Sequence, residues 1–311
     1  MHPDDRFHPP TSDDPFWTET CWFTFAVPER RLSGQLYPFF RPNQGVCAGA
    51  AYLWDDSGGS PHTCRYGKNF WHLPLPEGAD LGDLSLPNGI RYKCLAPLQR
   101  YELHYVDPDG RDEVEVDLVF EAVQAPNYLA ESHLDQPGRY TGRIRLHGED
   151  IAVDAYGFRD RSWGVRSQFG DTLSGSGAPR GGYSYATASE GEAFHAITMA
   201  FEDDVAIPIH GYLVRDGTYA RLAPGQGRRD VLERECGVPK RVRLTATDEL
   251  GRQLEAEGRC VNHLGVHLNP NLFTFNCLTE WEFDGVRAWG EDHDNWTAPA
   301  VRQFFREGAG G

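Results

Sequence analysis

Residues 156–166 read YGFRDRSWGVR, with Asp160 between Arg159 and Arg161 and Trp163 close behind. Adjacent positive charge favours an ionised Asp160. In a strand the two arginines share one face, while Asp160 and Ser162 share the other. Asp160 could then look into a cavity while the arginines bind elsewhere. The structural alternative is a buried Arg/Asp pair tying two domains together, with Trp163 packed at the seam. A second cluster, SHLDQPGRYTG at 132–142, crowds His133, Asp135, Gln136 and Arg139 around Pro137-Gly138. Histidine beside a carboxylate is a proton-transfer pair near neutral pH. A loop whose Asp and Gln satisfy backbone groups explains the same residues.

A third cluster is RAWGEDHDNW at 287–296, where Glu291, Asp292, His293 and Asp294 stand between Trp289 and Trp296. Crowded negative charge favours a protonated carboxyl suited to general acid work. A solvated strand end is the plain alternative. His195 (in AFHAITM) and His210 (in PIHGYLV) sit in apolar strand-like runs. Each reads as a satisfied core histidine or as a polar spot in a pocket.

Other chemistries find little support. His263 and His267 have HxxxH spacing, but the glycine between them and the β pattern around them argue against a helical metal site. The seven cysteines are dispersed without CxxC spacing, which fits reduced thiols better than disulfides or zinc. No metal is expected. No G-x-S-x-G elbow, P-loop, dinucleotide fingerprint or HExxH occurs, so nucleotide binding is not expected. A net charge of −16 repels phosphate backbones and anionic membranes, so no nucleic-acid partner is expected. No apolar run approaches the roughly 20 residues of a membrane span. The polar, Pro-rich opening MHPDDRFHPPTSDDPFW lacks an apolar signal segment, and a cytoplasmic location is expected.

The elements that must carry these clusters are strands. CWFTFAV (21–27), GVCAGAAYLW (45–54), RYELHYV (100–106), EVEVDLVFEAV (113–123), RYTGRIRLHG (139–148) and IAVDAYGF (151–158) are β-rich, several of them alternating. DPDG (107–110) and HGED (147–150) mark turns. After GDTLSGSGAPRGG (170–182), strand-like runs resume from 183 to 292, punctuated by RDGTY, DELGRQ and FDGVR. PAVRQFFREG reads as one short helix ended by glycine. Aromatic residues make up 12 % of the chain, enough to fill sheet cores or to line a cavity. The pattern predicts an all-β protein of two antiparallel barrels or sandwiches. The expected boundaries are a tail at 1–16, domains at 17–168 and 183–311, and a linker at 169–182.

TETCWFTF, HLDQPGRYTGRIRLHGE, VDAYGFRDRSWGVR and AWGEDHDNW together resemble bacterial proteins of the carotenoid 1,2-hydratase-like, AttH-like superfamily, with RDRSWG and the upstream DQPGR pointing to one branch. The resemblance implies two lipocalin-like β domains in tandem and an apolar pocket at or near their interface. It also implies a small hydrophobic substrate, often isoprenoid, and hydration or cyclisation without metal or organic cofactor. An acidic residue would protonate an alkene, and water would capture the resulting cation. Asp160, in the best-matched motif, carries that candidacy, with Arg161 as its partner. If an arginine holds Asp160 as organiser or base, the proton comes from Glu280, Glu291, Asp292 or one of His133, His195 and His210. Trp163, Trp281, Trp289, Tyr185 and Phe194 would wall the pocket. The leading expectation is a cofactor-independent lyase or isomerase of the hydratase/dehydratase type, and a homodimer is compatible with it. The alternatives are a non-catalytic carrier of hydrophobic ligands and a pericyclase-like shape template.

Overall fold

The structure, a computed structural model, describes residues 2–166, 173, 176–201 and 205–307. It is antiparallel β almost throughout, as the strand pattern predicts, and forms two compact units. One comprises Met1–Leu53 and Arg65–Arg166, the other Trp54–Cys64 and Ser167–Gly311. Much of the expected linker (169–172 and 174–175) lies outside the described residues, and Arg180–Gly182 already opens a strand.

The first sheet contains β1 (Trp17–Val27), β2 (Leu32–Arg41), β3 (Val46–Trp54), β4 (Tyr66–Pro74), β5 (Asp83–Ser85), β6 (Ile90–Ala96), β7 (Arg100–Val106), β8 (Val114–Ala122), β9 (Asn127–Leu129), β10 (His133–Leu146) and β11 (Glu149–Val165). Its order is β4-β3-β2-β1-β11-β10-β8-β7-β6-β5, with β9 beside the start of β10. Among the described residues the two end strands do not pair with each other, so the sheet curls without closing on its backbone. Side chains bridge the curl instead. The Tyr66 hydroxyl of β4 meets that of Tyr105 on β7 at 2.5 Å and donates to Asp107 Oδ1 at 2.8 Å, and Lys68 pairs with the same Asp107. The enclosed core is aromatic, with Phe23, Phe25, Tyr92, Tyr101, Phe120 and Tyr140 all buried.

The second sheet contains β12 (Arg180–Ser189), β13 (Glu192–Ala200), β14 (Ala206–Arg215), β15 (Thr218–Glu235), β16 (Val238–Asp248), β17 (Gln253–Cys260), β18 (Leu264–Asn269), β19 (Leu272–Phe283) and β20 (Val286–Thr297). Pairing of β17 with β19 closes eight of these strands into a barrel, with β18 outside the ring. Residues 54–64 belong to this unit. Trp54 Nε1 donates to Asn262 Oδ1 at 3.2 Å, and Gly265 N to Gly59 O at 2.8 Å. The expected short helix is α1 (Ala298–Arg306), N-capped by the Thr297 hydroxyl. His263 and His267 flank and enter strand β18, so their HxxxH spacing is not helical.

Two-residue turns set the register. His147-Gly148, Asp216-Gly217 and Asp284-Gly285 have positive φ at both positions, as type I′ hairpins require. DQPGR, which its Pro-Gly pair suggests is a loop, lies inside β10. Pro137 fits because β10 bonds β9 through Asp135 and β8 from Gly138 onward, leaving a gap where no N–H is needed. Gly138 fits because a Cβ there would stand 2.2 Å from Phe120.

Candidate active site

The register of β1, β11 and β10 sorts the RDRSWG motif into two faces. Asp160 stands opposite Trp22 and Asp135, and Ser162 opposite Thr20 and His133. Arg159 stands opposite Phe23 and Gln136, and Arg161 opposite Cys21 and Leu134. Directly opposed residues in an antiparallel pair point the same way. One face therefore collects His133, Asp135, Asp160, Ser162, Thr20 and Trp22, and the other looks into the aromatic core.

On the first face His133 Nε2 lies 2.9 Å from Asp135 Oδ1, and its Nδ1 lies 3.2 Å from Ser162 Oγ. The Ser162 hydroxyl is in turn 3.1 Å from that of Thr20. Asp160 joins them, one side-chain atom each of His133, Asp135 and Asp160 lying within 4.8 Å of the others. Asp135 is fully buried, His133 and Asp160 partly so. Burial disfavours the imidazolium, but the Asp135 carboxylate more than offsets this and raises His133 above its usual value. Burial, reinforced by the charge of Asp160, raises the Tyr37 phenol.

The core face holds the arginines, both fully buried. Arg161 is not the partner of Asp160. It donates to Glu19 Oε2 at 2.6 Å and to the backbone carbonyls of Asp4 and Arg6. Arg159 donates to Gln136 Oε1 at 2.7 Å, stacks 4.2 Å above the Tyr101 ring and lies 3.9 Å from Asp5. Asp5 accepts from the Tyr101 hydroxyl at 2.7 Å and from Leu98 N at 2.8 Å. His8 stacks on Trp163 with ring centres 3.9 Å apart and contacts Glu19 at 3.2 Å. The segment from Pro3 to His8 is thus strapped across the arginine face. Buried charges need such partners, because an unpaired one costs several kcal/mol.

The barrel repeats the division. Looking inward from β20, Asp292 takes both arms of Arg229 (2.9 and 2.5 Å) and the Ser184 hydroxyl at 2.7 Å. Asp294 pairs with Arg229 at 3.2 Å and Arg234 at 2.8 Å. Burial alone would raise the Asp294 carboxyl, but the two arginines hold it below its usual value. The other face carries Glu291 and His293, in contact at 2.7 Å. Tyr183, Tyr185, His195, Tyr212 and His210 continue that face across β12, β13 and β14. The His195 ring lies 4.6 Å from Tyr183, 5.7 Å from Tyr212 and 5.9 Å from His210.

The remaining sequence candidates separate. Phe194 and Trp281 meet edge to face at 5.2 Å inside the barrel core. Trp289 lies on the Glu291 face, and Trp163 covers Arg161 at 5.7 Å. Glu280 pairs with Arg259 on the barrel surface, beside a mixed-charge depression of about 450 Å³. Sequence reasoning missed Glu19, Asp5, Tyr37 and Arg229, and it singled out Gln136 without its arginine partner. Their burial depends on strands far apart in the chain, and only the alternation in TETCWFTF hints at Glu19. Donor atoms of His104, Glu115 and Asp117 also converge within 4.8 Å, but Arg143 pairs with both carboxylates and supplies the charge a cation would bring.

Two solved structures share this architecture. A candidate AttH from Nitrosomonas europaea is 17 % identical, with a TM-score of 0.64 over 93 % of this chain and 94 % of its own. Kievitone hydratase from Nectria haematococca is 10 % identical, with a TM-score of 0.54 over 90 % of this chain and 88 % of its own. At these identities the likeness is one of fold. No curated protein matches the sequence. A family model described as a domain of unknown function, DUF7064, matches residues 1–297, and the chain belongs to that family.

Proposed function

We propose that this protein is a hydratase-type lyase that adds water to, or removes it from, a hydrophobic and isoprenoid-like alkene or alcohol. The observation that carries the reading is the convergence of His133, Asp135 and Asp160 on one sheet face, turned away from Arg159 and Arg161. Arg159 and Arg161, which flank Asp160 in sequence, turn to Gln136, Asp5, Glu19 and the strap on the opposite face. Asp160 instead faces a second carboxylate directly across the strand pair, and one proton shared among the three groups relieves the repulsion between the two carboxylates. In the hydration direction that proton passes to an alkene carbon and leaves a tertiary cation. Water adds to the cation, and the proton that the new oxonium loses returns to the His133–Asp135 pair. Alkene and water become alcohol, with no net change in the protein. That kievitone hydratase shares the fold favours water chemistry over other uses of such a face.

The test is turnover of linear terpenols and of the corresponding dienes in H₂¹⁸O, followed by mass spectrometry. Isotope incorporation is expected, and Asp160→Asn should reduce it by about 10²-fold or more, the range of a positioned proton-transfer group. Unchanged turnover in a folded Asp160→Asn protein would remove Asp160 from the scheme. Binding of these compounds without turnover would favour a carrier.

A further inference from the structure

A row of hydroxyls crosses the sheet beside the candidate acid–base groups. Ser162 on β11 stands opposite His133 on β10 and opposite Thr20 on β1. Thr20 stands opposite Phe39 on β2, two residues from Tyr37, so Tyr37 shares the face. The contacts are continuous. The Tyr37 hydroxyl bonds the Thr20 side chain, Thr20 Oγ1 lies 3.1 Å from Ser162 Oγ, and Ser162 Oγ lies 3.2 Å from His133 Nδ1. Tyr37 also bonds Arg166, and both are partly exposed, whereas Thr20 and Ser162 are buried. The charged groups facing His133 are Asp135, Asp160 and Arg166.

We infer that Tyr37, Thr20 and Ser162 form a proton relay between solvent and His133 Nδ1, which leaves His133 Nε2 with Asp135. Each hydroxyl has one proton to give and lone pairs to receive another. A proton arriving from hydronium at Tyr37 Oη releases the phenolic proton to Thr20 Oγ1. The Thr20 proton moves to Ser162 Oγ, and that of Ser162 to His133 Nδ1. The net change is one proton transferred from hydronium to the imidazole, and the reverse sequence empties it. Such a path serves a largely enclosed base that must reset after every turnover, and it reaches His133 through Nδ1 while Asp135 holds Nε2. The inference rests on the proton-transfer reading of His133.

Thr20→Val is the decisive variant. It is nearly isosteric and touches neither His133 nor its carboxylates, yet it removes the middle link. NMR of ¹⁵N-histidine protein, with the His133 signal assigned by His133→Gln, reads exchange of the Nδ1 proton with water and needs no substrate. Exchange should slow by about tenfold or more in Thr20→Val, with a smaller slowing in Tyr37→Phe. With a terpenol substrate, kcat should fall by about tenfold, below the roughly 10²–10⁴-fold of a positioned proton donor. Small imidazole buffers should restore it, which a purely structural loss would not allow. Unchanged exchange in both folded variants would overturn the relay. Absence of turnover in the wild-type protein would sink the hydratase reading and leave the exchange result to decide the relay alone.

Discussion

In the barrel the ring is completed by a backbone ladder between β17 and β19, and Arg229 finds both carboxylates, Asp292 and Asp294, on the single strand β20. In the curled sheet the ends of the ring never pair. Tyr66, Tyr105, Asp107 and Lys68 bridge the opening, and Arg159 and Arg161 draw on residues 4–6, outside the sheet. Both units sort the same groups by face, with arginine–carboxylate pairs inward and a histidine–carboxylate pair on the reverse face, on β20 alone in the barrel and across β10 and β11 in the curled sheet. The difference is in who supplies the counter-charges. A closed ring holds its own, whereas the open one adds turns and connecting chain to the Glu19 that its β1 supplies.

If that contrast is right, Arg229→Met should be the most damaging change, since it leaves Asp292 and Asp294 buried with one guanidinium fewer. A loss of about 3–5 kcal/mol is expected in urea unfolding, and a loss under about 1 kcal/mol would break the comparison. Deleting residues 3–8 should cost less, about 2–3 kcal/mol, because Arg161 keeps Glu19 while losing its carbonyl acceptors and Arg159 loses Asp5. A truncated protein as stable as the full chain would show that the strap is dispensable.

Acid should loosen the bridge across the open sheet. Burial alone would raise Asp107, but Lys68, Tyr66 and two backbone amides outweigh it and hold it at about 2. Its folded value is depressed, so its contribution is present above the ordinary value near 4 and lost as pH falls through about 2. That contribution is about 2 kcal/mol, and Lys68→Met should flatten much of the acid limb. The smallest effect belongs to His133, whose folded value is raised. It stabilises the fold below the ordinary histidine value and loses that contribution as pH rises through the folded one. Asp135→Asn should abolish this slope on the alkaline side of the ordinary histidine value, as followed by thermal unfolding.

The barrel was the easier half to read from sequence. The Asp-Gly pairs at 216–217 and 284–285 fix hairpins because few other residues accept positive φ twice in succession. Strands β2 and β10 were harder. Pro38 and Pro137 interrupt their patterns, and what admits Pro137 is a gap between two partner strands, a property of the assembled sheet. For the site, alternation alone placed Asp160 and Arg161 on opposite faces. It did not reveal that Glu19 and Asp5 would claim the arginines, nor that Arg229 would claim Asp292, since these meetings join residues up to 154 positions apart, from Asp5 to Arg159. Buried charge has no local signature. Its partner is set by topology.

The strap has a kinetic consequence. Its contacts with Arg161 cannot form until β11 has been made and seated against β1, and they close a loop of more than 150 residues. Closing such a loop comes late, because its entropy is lost before the non-local contacts repay it. Until then two arginines stand in an apolar core with their charges only partly met. The first unit should pass through a collapsed species with its sheet formed and residues 3–8 undocked, and a chaperone that holds exposed apolar surface would meet the chain at that stage.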